Sequence, residues 1–188
     1  MRSYSLLFFS TLFLAITCFT SCSNDDDVMV PEEEEFINQA IYTLTAQNDP
    51  TDIVVFTFLD ADGEGGLDGI STTVGTLKAG TTYNGVATFA NTIDGEDITE
   101  EIAEEDEEHQ IFFQTTVAGL TFAYTDQDPM GNPIGLTTTA TTDAAGTGTL
   151  TMTLRHEPAK GASGVSDGDI TNAGGETDIE VTFDVTVE

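Results

Sequence analysis

The sequence predicts an all-β fold: an Ig-like or transthyretin-like β-sandwich of about seven to nine antiparallel strands with one short acidic helix. Three observations predict it. Short apolar runs alternate with threonine at a period of two, the signature of strands with one buried face. Gly, Asn, Asp and Pro punctuate the chain between those runs. No strand–helix–strand rhythm is present, which argues against a parallel α/β sheet.

Each element follows from its own residues. Residues 41–46 alternate strictly, and 53–59 form a β-rich run continuous enough for a central strand. Residues 82–90, 110–115, 120–125, 135–141, 148–155 and 178–187 repeat the pattern, and 73–77 adds a short edge strand. Threonine is β-branched, stiff at χ1 and comfortable on a wet strand face. Residues 94–109 break the pattern. Asp97 and Glu100 are spaced as a capping box, and Ile98 and Ile102 share one helix face. That helix would dock through the two isoleucines and carry Glu100, Glu101, Glu104, Glu105, Asp106, Glu107 and Glu108 outward. Like charges at this spacing weaken a helix, most of all near its negative C-terminal end. His109, salt or a bound cation would offset that repulsion.

The charge narrows the function classes. Of 188 residues, 34 are Asp or Glu and four are Lys or Arg, giving a net charge of −30. No basic stripe exists to displace phosphate counterions, so nucleic acid is excluded as a natural partner. Docking on an anionic membrane through basic residues is excluded for the same reason. Cations and basic protein surfaces fit this charge.

The N-terminus reads as an address. Arg2 precedes an apolar run over 6–16, then small residues follow, as in a secretory signal peptide. Phe19, Thr20, Ser21 and Cys22 resemble a bacterial lipobox, in which cleavage precedes a cysteine that is then lipidated. Phe in place of the usual Leu departs from that pattern, and a plain signal peptide cut nearby is the alternative. Cys18 and Cys22 are the only cysteines. Under the lipoprotein reading the mature domain has no disulfide and no free thiol, so it stands on its core. The expected division is signal peptide 1–21, lipidated Cys22 with an acidic tether 22–37, and a β-sandwich domain 38–188. An acidic stretch directly after the lipidated cysteine resembles a surface-export signal of Bacteroidota lipoproteins. The expected location is therefore the outer membrane, anchored in the bilayer through Cys22 and facing the exterior, with the periplasmic face as the alternative.

Three groups of residues are candidate ligands for a divalent cation. Asp60, Asp62, Glu64 and Asp68 follow the spacing of a calcium loop, with Gly65 at its sharp turn. Ser71 stands where that loop needs a bidentate Glu, and a Gly-Asp turn accounts for the same residues. His109 and His156 sit beside Glu108 and Glu157 at the ends of two predicted strands. If those ends meet, two imidazoles and a carboxylate make a Zn²⁺ or Cu²⁺ site; otherwise they are surface histidines paired with glutamates. Asp167, Asp169, Asn172 and Glu176 lie in one Gly-rich segment that also reads as a flexible hairpin loop. Arg155 and Lys160 are expected to pair with the acidic helix. An enzyme is not expected. No Gly-x-Ser-x-Gly, phosphate-loop or zinc-protease signature occurs, and the chain has no Trp to build a sugar platform.

Several motifs carry a resemblance: residues 58–66, 97–102, 107–110, 135–139, 154–158 and 164–178. With them, the stretch 41–188 resembles a small family of flavobacterial lipoproteins often labelled "type 1 periplasmic binding fold superfamily protein". That label names a two-lobed α/β fold, whereas the strand pattern here implies one β-sandwich. The resemblance implies a location rather than a chemistry. The expected function is a non-enzymatic surface lipoprotein that binds a divalent cation. The alternatives are an accessory protein partnering an outer-membrane receptor of the TonB-dependent kind, and a hydrolase.

Overall fold

A computed structural model describes residues 36–63 and 65–188. The expected signal peptide, Cys22, most of the tether and Glu64 lie outside the described residues.

Among the described residues, nine strands form two antiparallel sheets, with one helix beside them. β1 (Gln39–Ala46), β2 (Ile53–Leu59), β3 (Ile70–Val74), β4 (Thr82–Ala90), β6 (Leu120–Tyr124) and β7 (Thr137–Thr142) make the larger one, in the order β3-β2-β1-β4-β7-β6. β5 (His109–Thr115), β8 (Gly146–His156) and β9 (Glu176–Val187) make the smaller, in the order β5-β8-β9. The all-β sandwich is what the threonine alternation predicts, and the short helix falls within the acidic stretch 94–109 that breaks it. The strand at 73–77 lies three residues earlier than expected, at Ile70–Val74.

Alternation builds the core. In β1 the even residues Ala40, Tyr42, Leu44 and Ala46 are buried while the odd ones stay half-exposed. β9 buries Ile179, Val181, Phe183, Val185 and Val187 in the same way. Aromatic rings join the sheets: Tyr42 meets Phe113 at 4.9 Å between centroids, and Phe56 meets Phe183 at 5.5 Å. Tyr42, Phe56 and Phe183 are fully buried, and each such side chain contributes on the order of 2 kcal/mol. One hydroxyl enters this core without being stranded, since Tyr42 Oη and Thr138 Oγ1 share a 2.6 Å hydrogen bond. Gly85 makes the room, because a Cβ there would stand 2.4 Å from both oxygens.

One side of the sandwich is stitched shut. Leu77 N–H donates to Thr186 C=O and Glu188 N–H to Leu77 C=O, tying the chain after β3 to β9. Thr73 Oγ1 donates to Asp184 C=O across the same corner. Helix α1 (Ile98–Glu104) is capped by Asp97, whose side chain accepts Thr99 N–H, and it buries Ile98 and Ile102. It also extends the large sheet. Beyond the end of β7, Thr99 Oγ1 accepts Phe89 N–H and donates to Phe89 C=O. A hydroxyl thus replaces a strand partner for β4.

The segment 157–175 leaves β8, makes two 3-10 turns at Val165–Asp167 and Ile170–Asn172, and returns as β9. Its Val165 and Ala173 cover Phe112 on the outer face of the small sheet.

Candidate functional site

The two histidines meet. His109 and His156 are directly opposed in the β5–β8 ladder. The neighbouring pair Glu108 and Glu157 is hydrogen-bonded, Glu157 N–H to Glu108 C=O at 2.7 Å. His109 and His156 therefore occupy a non-hydrogen-bonded site, where opposed side chains come closest. Their rings stack at 4.8 Å with 12° between planes. His109 is fully buried, with Nδ1 3.3 Å from Glu105 C=O and Nε2 3.9 Å from Asp178 Oδ2. His156 Nε2 lies 3.8 Å from Glu108 Oε2. The sequence pairs each histidine with its neighbouring glutamate and misses Asp178. A β-bulge explains that: the β8–β9 register slips between Leu154 and Arg155, which face Ile179 and Thr177. Asp178 is the extra residue, and its carboxylate is buried beside His109. Gly175 lets the chain approach, since a Cβ there would stand 2.1 Å from His156 C=O. Glu157 contributes backbone only, in a left-handed conformation at φ 48°.

The donor set of this corner suits a transition metal, but its orientation does not. Imidazole lone pairs lie in the ring plane, so stacked rings aim them along parallel lines rather than at one point. Among the described residues no three His, Cys, Asp or Glu side chains converge on a metal position.

The loops with calcium-like spacing use their carboxylates internally. Asp60 Oδ1 accepts Gly63 N–H and Asp62 Oδ2 accepts Leu67 N–H. Asp68 borders a shallow cavity described below. In the 167–176 segment, Asp169 accepts Thr171 N–H, and Asn172 Nδ2 donates to Ser163 C=O. The Thr171 hydroxyl and N–H hold the Asp169 carboxyl below its usual range. Asp167 lies at the end of the first 3-10 turn, and Glu176 sits opposite His156 on β9. The structure does not gather these four side chains around one point.

Lys160 ties three segments together. Its ammonium donates to Asp106 C=O, just past the helix, and lies 3.5 Å from Asp128 Oδ2 with both side chains buried. Burial pulls Lys160 below the ordinary lysine range, against the carboxylates of Asp128, Asp106 and Asp126. Burial pushes Asp128 up, but Asn132, Lys160 and the Met130 N–H outweigh it and leave the carboxyl below its usual range. Asp128 also accepts hydrogen bonds from Met130 N–H, Asn132 N–H and Asn132 Nδ2. The helix thus meets Lys160 through a backbone carbonyl. Arg155 Nη1 donates to Gly175 C=O, and Lys78 pairs with Asp52 at 3.0 Å.

The feature the sequence reading overlooked is an absence of charge. The six strands of the large sheet contain no Asp, Glu, Lys or Arg. By contrast, residues 36–188 contain 27 carboxylate side chains. Register lines the outward residues into neutral rows. Val86, Thr43, Val55 and Val74 form one, and Thr88, Ile41, Thr57 and Thr72 the next. Ile53, Ile70, Val74 and Val86 are 45–68% exposed there. The loop after β2 curls over this face and leaves a cavity of about 350 Å³ lined by Leu59, Leu67 and Ile70. Asp62 and Asp68 of the β2–β3 loop line this cavity, and exposed Asp49 lies in the turn that joins β1 to β2. Summed charge hides this pattern; only the strand-by-strand reading of composition reveals it.

No protein-family model, curated protein or solved structure matches the chain. Among the described residues no helix is long and apolar enough to cross a membrane.

Proposed function

We propose that the protein is a non-enzymatic, lipid-anchored outer-membrane protein that works by holding a partner protein against the outer face of its large sheet. The observation that carries this reading is the charge-free face. A contiguous exposed apolar surface marks an interaction site, and a depleted-charge centre with a charged rim is the anatomy of an interface. The rim is acidic, so the fitting partner has a neutral centre ringed by lysine and arginine. A second copy would set acidic rim against acidic rim, which disfavours self-association. An outer-membrane receptor with a basic flank matches this chemistry. The anchor rests on the lipobox-like residues 19–22, and fatty-acid labelling of the protein should vanish in Cys22→Ala.

A photocrosslinker placed at Val86 tests the docking face in intact cells. One heterologous adduct at Val86, with none from a crosslinker at Thr182 on β9, supports the reading. No adduct at Val86, or an adduct of two copies of this chain, overturns it. The adduct yield should fall as salt rises, because the rim contacts are screened.

A second reading has its own observation: His109 and His156 are opposed, with Glu108 and Asp178 within 3.9 Å. Rotation of one ring would let these four residues hold Zn²⁺ or Cu²⁺. Zn²⁺ added to chelator-stripped protein should then raise Tm, and His156→Ala should remove the rise. Ca²⁺ in the same assay tests the 60–71 loop. No shift with any of these ions removes the cation reading.

A further inference from the structure

The side of the sandwich opposite the β3–β9 seam is open, and its two edges face each other. β5 and β6 follow one another in sequence through residues 116–119 but belong to different sheets. The ladders fix which backbone groups point into the gap. Thr116 N–H and Glu157 N–H bridge β5 and β8, so even-numbered β5 residues bond β8 and odd-numbered ones face the gap. Ile111 N–H confirms the phase by reaching Ile134 C=O on that side. Thr125 N–H bonds Thr137 C=O, so odd-numbered β6 residues bond β7 and even-numbered ones face the gap. Phe113, Thr115, Phe122 and Tyr124 thus direct backbone N–H and C=O groups into the gap. Among the described residues none of these groups has a hydrogen-bond partner.

The gap is a groove of about 240 Å³, lined by Phe113, Thr115, residues 120–124, Asp167 and Gly168. Phe113 and Phe122 stack at 5.3 Å along its floor. Tyr124 fixes one end: its hydroxyl donates to Ile111 C=O at 2.8 Å, and burial pushes that hydroxyl up to about 12. Among the described residues Asp167 is the only charged side chain of the lining. β6 is short, at five residues, but it lacks the other usual protections of an edge strand. It has no Lys, no Pro and no bulge.

We propose that this groove accepts an extended peptide segment of a partner protein by strand addition on the β6 edge, with a basic residue set against Asp167. The occupant follows from the lining. Unpaired backbone donors and acceptors at strand spacing match another extended backbone. Alternate side chains of the added strand then fall on the Phe113–Phe122 floor, and the lone carboxylate selects Lys or Arg. An acidic segment, including any acidic stretch of a second copy, is repelled there. This site is separate from the docking face and does not depend on it.

The test uses a synthetic peptide of about eight residues, alternating valine and threonine around one central lysine. Amide hydrogen exchange at Phe122 and Tyr124 should be fast in the full-length protein and slow by roughly tenfold or more with saturating peptide. Asp167→Asn, which leaves the fold's backbone bonds intact, should weaken the lysine peptide several-fold and leave an alanine-centred peptide unchanged. The idea is overturned if the two amides are already protected in the free protein. Unchanged exchange with millimolar peptide overturns it as well. So does equal weakening of both peptides by Asp167→Asn. Sedimentation that shows β6-dependent dimers would assign the edge to a second copy instead.

Discussion

Asp128 is the residue whose loss should hurt most among the polar groups. It is buried, accepts hydrogen bonds from Met130 and Asn132, and faces the Lys160 ammonium. Asp128→Ala strands a buried cation, and denaturant titration should show a loss of about 3–5 kcal/mol. Lys160→Met leaves Asp128 with its N–H donors, so it should cost distinctly less. The pH dependence has a definite sign. The folded carboxyl lies below the ordinary 3.8, so near that pH the unfolded chain binds more protons than the native one. The stability Asp128 supplies is then complete above that range and lost as pH falls through the folded value. Acid titration should therefore show wild type and Asp128→Asn converging below about pH 3.8. Gly85 makes a second case at this scale. Gly85→Ala pushes a Cβ onto the Tyr42–Thr138 hydrogen bond, and a loss of roughly 1–3 kcal/mol in thermal or denaturant melts is expected. Neither residue announces itself in the sequence. Asp128 reads as turn chemistry before Pro129, and Gly85 as a glycine inside a strand, because their partners lie 32 and 53 residues away.

At the scale of elements, the helix shows what local pattern reveals and what it hides. Asp97, Ile98 and Ile102 are legible as cap and buried stripe, and the structure uses them so. Thr99 is not legible, because its task is to finish the β4 ladder at Phe89. Thr99→Val keeps the shape and strands both Phe89 groups, so a fall of about 1–3 kcal/mol in unfolding free energy should follow. Thr99→Ser keeps the hydroxyl and should recover most of it. Strand positions are legible for the same reason as the helix stripe: period-two alternation is local. β3 is displaced by three residues because only five residues bear the pattern, and its register is set by β2 rather than by its own sequence. The histidine corner divides in the same way. His109 and His156 stand out as a pair beside acids, whereas Asp178 joins them only through a bulge, which no short-range signal encodes.

At the scale of the whole molecule, the net charge of −30 opposes compaction. Raising ionic strength from 0.01 M to 0.15 M shortens the Debye length from about 30 Å to about 8 Å. Tm should therefore rise with NaCl before any specific ion is added, and a salt-insensitive Tm would show that the carboxylates sit too far apart to repel. The sequence by itself determined the class of fold, most of the strand positions and the excess of carboxylates. Those are properties of local periodicity and of summed charge, which need no knowledge of neighbours. The tertiary structure alone decided where the charge is missing and where backbone groups are left over. Six uncharged strands from distant parts of the chain become one neutral face only when register aligns them. The open groove exists because two consecutive strands part into different sheets, a choice made by packing rather than by either strand's own residues.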